Sequence, residues 1–389
     1  MKTAFCQGGK KTVKNINFIL FFKKYKNYSR RFFVKNLDKK KSECLGGLSD
    51  LGLNKVYNVH CSHCSQLNNN IYVCDCQNKI LNETEQRFKP KKIQSEFLSD
   101  VYLNLGLLNR SVRVRDCGSI LDFGIYKSAD KPYKLLFRNF CKDRLCPSCN
   151  WRRSMKIFTQ VNLCLNQLHN DNYDFLFLTL TVKNCNSSDL PKTIDVLLKG
   201  YFKLFHDNRQ IKKIVKGSFR SLEITVNEKT GLYHPHLHCI LAVNKSYFKK
   251  YYIKQSEWAE LWQNCINIDY MPVVDIRKPY VKKNEDGKNL GFKDVAEEVS
   301  KYAVKGSDFL DENNLQSSCD RVNDFLAALT NRRLVSFTGV FSKVRKNLNL
   351  DDPENGNLIN TGLEEPRADL LAVVRLGWVN GGYIVKDIL

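Results

Sequence analysis

The feature that most limits the fold is the alternation of apolar and polar residues in three segments, at 174–184, 220–226 and 233–241. A period of two is typical of strands that turn one apolar face toward a core. The segments 188–206 and 255–265 have amphipathic helical spacing instead. This pattern predicts an α+β fold, an antiparallel sheet with helices packed on one face.

The third strand segment, "YHPHLHCIL", places imidazoles at every second position. It contains three of the seven histidines of the chain, which are His234, His236 and His238. The turn "NEKTG" makes a hairpin with the strand before it. If Val226 pairs with Tyr233, Glu223 lies opposite His236; a register shift of two would place it opposite His238. Either register predicts a divalent-metal site on the polar face of the sheet.

A helical pattern runs from Asp294 to Lys305 and is ended by Gly306. Glu298, Tyr302 and Lys305 fall at i, i+4 and i+7, so they form one stripe along the helix. An acid, a phenol and a cation together suit a phosphoryl-transfer site. Lys305 has an equally simple interpretation as a solvated lysine favoured by the dipole at the helix end.

Cysteine spacing predicts a structural zinc site. The chain has fifteen cysteines and shows no secretion signal, which indicates the reducing cytoplasm, where clustered thiols bind metal more often than they form disulfides. A Cys-x-x-Cys turn can direct two thiolates at one tetrahedral ion. The predicted ligands are Cys117, Cys141, Cys146 and Cys149.

A second cluster, "HCSHCSQLNNNIYVCDC", is a weaker candidate for another zinc knuckle because its Cys-x-Cys half is less typical. Its candidate ligands are Cys61, Cys64, Cys74 and Cys76.

The charge of the chain points to a polyanionic partner. The formal net charge is +22 and the isoelectric point is near 9.3, and such a surplus favours nucleic acid. A membrane partner is disfavoured because no apolar run approaches the roughly 20 residues needed to span a bilayer. After the first cysteine cluster, Arg152, Arg153 and Lys156 are expected to present positive charge to a phosphate backbone.

Composition divides the chain into four parts. Residues 1–95 form a basic accessory region, 96–155 the four-cysteine zinc-binding segment, 156–350 a catalytic domain and 351–389 a C-terminal extension.

Motifs in chain order resemble a known family. "CKDRLCPSCNWRRS", "FLTLTVKN", "HPHLH", "EEVSKYAVKGSD" and "RLVSFTGVFSKVRKNLNL" look like the motifs of rolling-circle plasmid replication initiators, the Rep proteins of the HUH endonuclease superfamily. The resemblance covers roughly residues 110–350. It implies a core similar to the RRM and ferredoxin-like folds, and site-specific nicking of single-stranded or hairpin-extruded DNA at the plasmid double-strand origin.

The resemblance also implies roles for individual residues. His236 and His238 hold Mg²⁺ or Mn²⁺; Tyr302 is the nucleophile that forms a 5′-phosphotyrosine and frees a 3′-OH primer; Glu298 activates water for the second cleavage. The third metal ligand is not fixed by the resemblance, and Glu223 and His234 are rival candidates. Thr179 and Thr181 are assigned packing or DNA-backbone contacts and no chemistry.

Two other functional classes stay open on sequence grounds. One is a non-catalytic, zinc-dependent DNA-binding regulator, and the other is a transposase or mobilisation relaxase of the same superfamily. A host helicase is an expected partner because no phosphate-binding Gly-rich loop ending in Lys-Ser/Thr occurs. The oligomeric state is open, with a homodimer as one alternative.

Overall fold

A computed structural model describes residues 70–127, 132–279, 292–300, 306–362 and 368–389, with side chains from Asp75 onward. These residues belong to one structural unit that begins at Ser62.

The helices and strands alternate irregularly along the chain. The helices are α1 (Asn70–Glu83, continued as a π-helix to Phe88), α2 (Lys89–Asn104), α3 (Leu108–Asp116), α4 (Pro147–Asn170), α5 (Leu190–Phe202), α6 (Arg209–Ile214), α7 (Tyr247–Lys250), α8 (Gln255–Ile266), α9 (Lys293–Val299), α10 (Gly306–Phe309), α11 (Leu315–Leu329) and α12 (Gly339–Asn347). The strands are β1 (Ile120–Tyr126), β2 (Tyr133–Arg138), β3 (Tyr173–Thr181), β4 (Val215–Val226), β5 (Tyr233–Asn244), β6 (Val274–Arg277), β7 (Val335–Phe337), β8 (Leu370–Val379) and β9 (Gly382–Ile388).

The larger sheet has five antiparallel strands in the order β6-β3-β5-β4-β7. The three strands predicted from alternation lie together at its centre. Val226 pairs with Tyr233, and Glu223 therefore pairs with His236. The hairpin register predicted from the sequence is confirmed, and the shifted alternative is not adopted.

Helices α5 and α8 cover the face of this sheet that the sequence predicts to be apolar. The hydroxyls of Tyr201 in α5 and Ser218 in β4 are 2.6 Å apart. Trp262 in α8 donates its indole N–H to the carbonyl of Thr181 at 2.9 Å.

Helices also pack on the opposite face, so the prediction of helices on one face only was wrong. Phe175 lies on the predicted polar face, and its ring contacts Phe292 at 5.0 Å and Phe341 at 6.4 Å between centroids. On the same face, Ser221 donates to the carbonyl of Val299 in α9. The physical reason is that Phe175 and Phe177 make one end of this face apolar, and that end needs cover.

The smaller sheet has four antiparallel strands in the order β2-β1-β8-β9. Strands β1 and β2 lie between Cys117 and Cys141, and β8 and β9 are the last strands of the chain. The sheet packs on α1 through a small core that contains Ile80, Phe88 and Phe123. Pairing of β1 with β8 therefore unites the expected zinc segment with the expected C-terminal extension.

The basic residues after the cysteine cluster point inward, which corrects their predicted role as a DNA-facing surface. Arg152 donates to the carbonyl of Leu358 at 2.9 Å, and Arg153 donates to the carbonyl of Glu354 at 3.0 Å. Lys156 is 2 % exposed, and burial lowers its pKa against the opposing effect of Asp351. Because α4 packs under the segment after α12, these cations satisfy its carbonyls and carboxylate instead of facing solvent.

Gly339 tests how closely the N-terminus of α12 packs against β4. Its φ is +55°, and a Cβ there would lie 2.2 Å from the carbonyl oxygen of Lys216. Gly231, in the hairpin turn, has a φ of +68° and open space around the same position.

We expect Gly231→Ala to lower the free energy of unfolding by about 1 kcal/mol, the usual penalty for a left-handed non-glycine residue. Gly339→Ala adds a backbone clash and should lower it by roughly 2 kcal/mol more. Urea unfolding followed by circular dichroism measures both. Equal losses would show that the contact between Gly339 and β4 is not a close one.

Candidate metal centres and catalytic helix

Three ligand atoms converge on the face of the larger sheet that bears α9. The Nε2 atoms of His236 and His238 are 3.1 Å apart, and Oε2 of Glu223 lies 3.4 Å and 2.9 Å from them. Glu223 and His236 are buried, with 6 % and 8 % of their surface exposed. This group could hold a metal ion.

The spacing of these atoms fits one ion. Ligands about 2.1 Å from a metal at tetrahedral or octahedral angles lie roughly 3 Å from each other. The three separations in this group are close to that value. All three ligands lie on the paired strands β4 and β5.

Neighbouring acceptors orient both imidazoles. Nδ1 of His236 lies 3.1 Å from the carbonyl oxygen of His234, so Nδ1 carries the proton and Nε2 presents its lone pair to the centre. Nδ1 of His238 lies 3.3 Å from the hydroxyl of Thr179. These contacts assign Nε2 as the metal-facing atom of each ring.

The charge of Glu223 is stabilised in this group. Burial alone would raise the pKa of Glu223, but His236 and His238, when protonated, outweigh burial and lower the pKa well below its usual range. A carboxylate that stays ionised is the form required of a metal ligand.

His234, the rival third ligand, is positioned differently. Its Nδ1 lies 2.8 Å from the side-chain oxygen of Asn184, and its ring centroid is 5.1 Å from that of His236. The converging group has Glu223 in the third position and leaves His234 at its edge.

The helix predicted over residues 294–305 begins beside this centre as α9, but α9 ends at Val299, and Gly306, which was predicted to end the helix, instead begins α10. Helix α9 includes Glu298, which is partly exposed. Ser221, two residues from Glu223 on β4, donates to the carbonyl of Val299 at 2.8 Å. Tyr302 and Lys305 lie outside the described residues, so their roles stay predictions.

The four predicted zinc cysteines come together. The sulfur of Cys117 is 3.7 Å from those of Cys149 and Cys146, and the sulfurs of Cys141 and Cys149 are 3.6 Å apart. Four thiolates around one zinc, with Zn–S bonds of about 2.3 Å, are separated by roughly 3.8 Å. All four cysteines are free of disulfides, and the group could hold a metal ion.

Hydrogen bonds from the thiols of Cys141, Cys146 and Cys149 hold the pKa of Cys117 well below its usual range. Contact with Cys117 in turn raises the pKa of Cys141 and Cys149. The group therefore favours the thiolate, the form that binds metal, at Cys117.

The second cysteine cluster is described only in part. Cys61 and Cys64, and the side chain of Cys74, lie outside the described residues. Cys76 lies in α1 and packs, 1 % exposed, in the core of the smaller sheet. The Cys-x-Cys pair is therefore helical and not part of a turn, and the four-ligand assignment stays a prediction.

Sequence reasoning assigned no chemistry to Thr179, although its hydroxyl is in contact with a candidate ligand. The signal was available, because Thr179 pairs with His238 and shares its face of the sheet. Thr181, two residues along, instead donates to the carbonyl of Val273 at 2.8 Å.

Among the residues described, no helix has the length and apolar character to cross a membrane.

Comparison with known proteins gives consistent matches. The family model described as Replication protein (Rep_1) matches residues 133–380. A "Protein rep" of Lactiplantibacillus plantarum is 37% identical over 299 residues, covering 74% of this chain and 90% of the relative. A "Protein rep" of a Bacillus species is 37% identical over 295 residues, covering 71% and 94%. No solved structure matches the chain.

Thr179→Val should weaken binding of Mn²⁺ to the intact protein by about tenfold, because loss of an outer hydrogen bond to a histidine ligand typically costs 10–100-fold in affinity. Isothermal titration calorimetry measures the effect. Thr181→Val is the matched control and should bind as the wild type does. Equal affinities for all three proteins would show that Thr179 does not orient His238.

Proposed function

Because the chain belongs to the Rep_1 replication protein family, the rolling-circle plasmid initiators that its motifs resemble, we propose that it nicks and rejoins DNA at a plasmid double-strand origin. The proposed reaction is a metal-dependent transesterification through a 5′-phosphotyrosine. The proposed fold of the catalytic domain is that of the HUH endonucleases. Origin DNA is the partner implied by the family, and a host helicase would unwind the template.

One observation carries the proposal. Glu223, His236 and His238 converge on a rigid sheet face, and the helix packed on that face contains Glu298. Tyr302 follows Glu298 by four positions along the chain, three residues after the end of α9 at Val299. A metal-binding group, an acid and a phenol would then share one site.

Tyr302 is the proposed nucleophile. Its phenolic oxygen attacks the phosphorus at the nick site, the P–O3′ bond breaks, and the 3′ oxygen leaves as the hydroxyl that primes synthesis. One phosphodiester replaces another, so the covalent link retains the energy needed for rejoining. The phenol has a pKa of about 10 in water, so its proton must leave by the transition state.

The residues present fit a divalent ion, Mg²⁺ or Mn²⁺ in this proposal. Bound by Glu223, His236 and His238, such an ion would polarise a non-bridging phosphate oxygen and offset the charge that develops on it. The sheet positions the three ligands, and Thr179 orients His238.

Glu298 is proposed to activate water in the second cleavage. A carboxylate there accepts a proton from water as the water oxygen attacks the phosphorus and the P–O3′ bond breaks, so replication ends by hydrolysis. Lys305 is proposed to offset negative charge on the phosphate.

The four-cysteine group is proposed to bind zinc in a structural role. It offers four sulfur ligands and no open position, which is the arrangement of structural zinc sites. The site would tie α3 and the N-terminus of α4 to the smaller sheet.

We expect Tyr302→Phe to abolish covalent attachment to the 5′ end of a cleaved single-stranded origin oligonucleotide in Mn²⁺, while DNA binding persists. Denaturing gel electrophoresis detects the protein–DNA adduct. Tyr252→Phe, a change at a tyrosine that is 63% exposed, is the control and should cleave normally. Cleavage by Tyr302→Phe at the wild-type rate would assign the nucleophile to another residue.

The same assay separates the other functional classes. Binding of origin DNA without cleavage by the wild type would favour the non-catalytic regulator. Cleavage of a transfer-origin or transposon-end substrate, but not of a double-strand origin, would favour the relaxase or transposase.

Cys149→Ser should lose one zinc per chain relative to the wild type, because three thiolates bind zinc less tightly than four. Cys164→Ser alters a buried cysteine outside the group and should retain the wild-type zinc content. Mass spectrometry of the native proteins counts the metal. Identical zinc content in both variants would show that the four-cysteine group does not bind zinc.

A further inference from the structure

A cationic cleft lies beside the four-cysteine group, on residues to which the proposed reaction gives no role. The cleft has a volume of about 220 Å³. Its rim has four cations and one carboxylate, which are Arg110, Arg113, Lys142, Arg144 and Asp143. Its floor is apolar and is formed by α11, including Phe325 and Leu329.

Asp143 organises the rim without cancelling its charge. Its side chain is 1 % exposed and accepts hydrogen bonds from the hydroxyl of Tyr102 at 2.8 Å and from Arg110 at 2.9 Å. Arg113 lies 3.9 Å from the same carboxylate and is 58% exposed. Arg144 lies 3.8 Å from a second buried carboxylate, that of Glu354. Both carboxylates are therefore enclosed, and the cations that exceed them in number include exposed Arg113 and Lys142.

The backbone at Lys142 is held in a conformation that a lysine rarely adopts. Its φ is +56°, in the left-handed region that costs non-glycine residues about 1–2 kcal/mol. Buried Arg153 maintains it by donating to the carbonyls of Lys142 at 2.6 Å and Asp143 at 2.9 Å. A lysine kept where glycine would be less strained indicates a use for its side chain.

Arg144 connects the rim to α11. It donates to the carbonyls of Leu329 at 2.7 Å and Arg332 at 2.6 Å, so it caps the C-terminal end of that helix. The rim is consequently fixed against the helix that forms the floor.

From this geometry we propose that the cleft binds the phosphodiester backbone of duplex DNA. This inference rests on the proposed function for its choice of anion. Arginines in a fixed array bind phosphate oxygens through paired N–H donors. Sites for unpaired strands usually add exposed aromatic rings on which bases stack, and the aromatic ring in this cleft, Phe325, is fully buried.

The test compares two double variants of the full-length, zinc-loaded protein. Arg113→Ala/Lys142→Gly removes two rim cations, and glycine suits the positive φ at 142, so the fold is not strained. Arg209→Ala/Lys212→Ala removes the same charge from exposed positions of α6. Fluorescence anisotropy measures binding of an origin duplex over a range of salt concentrations, without added divalent ion.

The slope of log K against log salt should fall by about 2 for the rim variant, since each lost phosphate contact contributes roughly 0.9. It should stay near the wild-type slope for the α6 variant. A duplex of unrelated sequence should show the same difference, because the backbone carries no sequence information.

Equal slopes for the two variants would overturn the inference, as would a loss confined to single-stranded DNA or to the origin sequence. Because the assay detects binding without cleavage, a failure of the nicking proposal leaves its outcome unaffected.

Discussion

The pairing of β4 with β5 is the interaction on which the rest of the candidate site depends. It sets Glu223 against His236 and leaves His238 one step along the same face. A slip of one residue would turn Glu223 away from both imidazoles, because side chains alternate across a sheet. A ladder of backbone hydrogen bonds between the two strands holds the ligand residues in place before any ion binds.

The sequence predicts this hairpin well because its information is local. Alternation, the turn "NEKTG" and the spacing of the histidines all lie within a short segment, and together they allow only two registers. The four-cysteine group is also brought together, but from residues spread over Cys117 to Cys149. In that group the Cys-x-x-Cys spacing predicted two of the ligands. The other two were assigned because a structural zinc takes four ligands.

Elements that depend on distant contacts were not predictable in the same way. Nothing near Phe175 shows that Phe292 and Phe341 will cover it, so the second layer of helices was missed. Arg152, Arg153 and Lys156 read as a surface patch because their partners lie about 200 residues later in the chain. Charge pattern alone does not distinguish a cation that faces solvent from one that satisfies buried carbonyls.

The smaller sheet has a consequence for how the protein is made. Arg375 in β8 pairs with Asp122 in β1 across 253 residues of sequence, so β1 waits for its central neighbour until those residues have been synthesised. At 5–20 residues per second that delay is roughly 10–50 s. Throughout it, β1 and β2 are a two-stranded ribbon, which is marginal in water by itself. In a nascent chain the four zinc-site cysteines therefore lie beside an incomplete sheet. A truncated chain that ends before β8 would expose the open edge of β1 to chaperones and proteases.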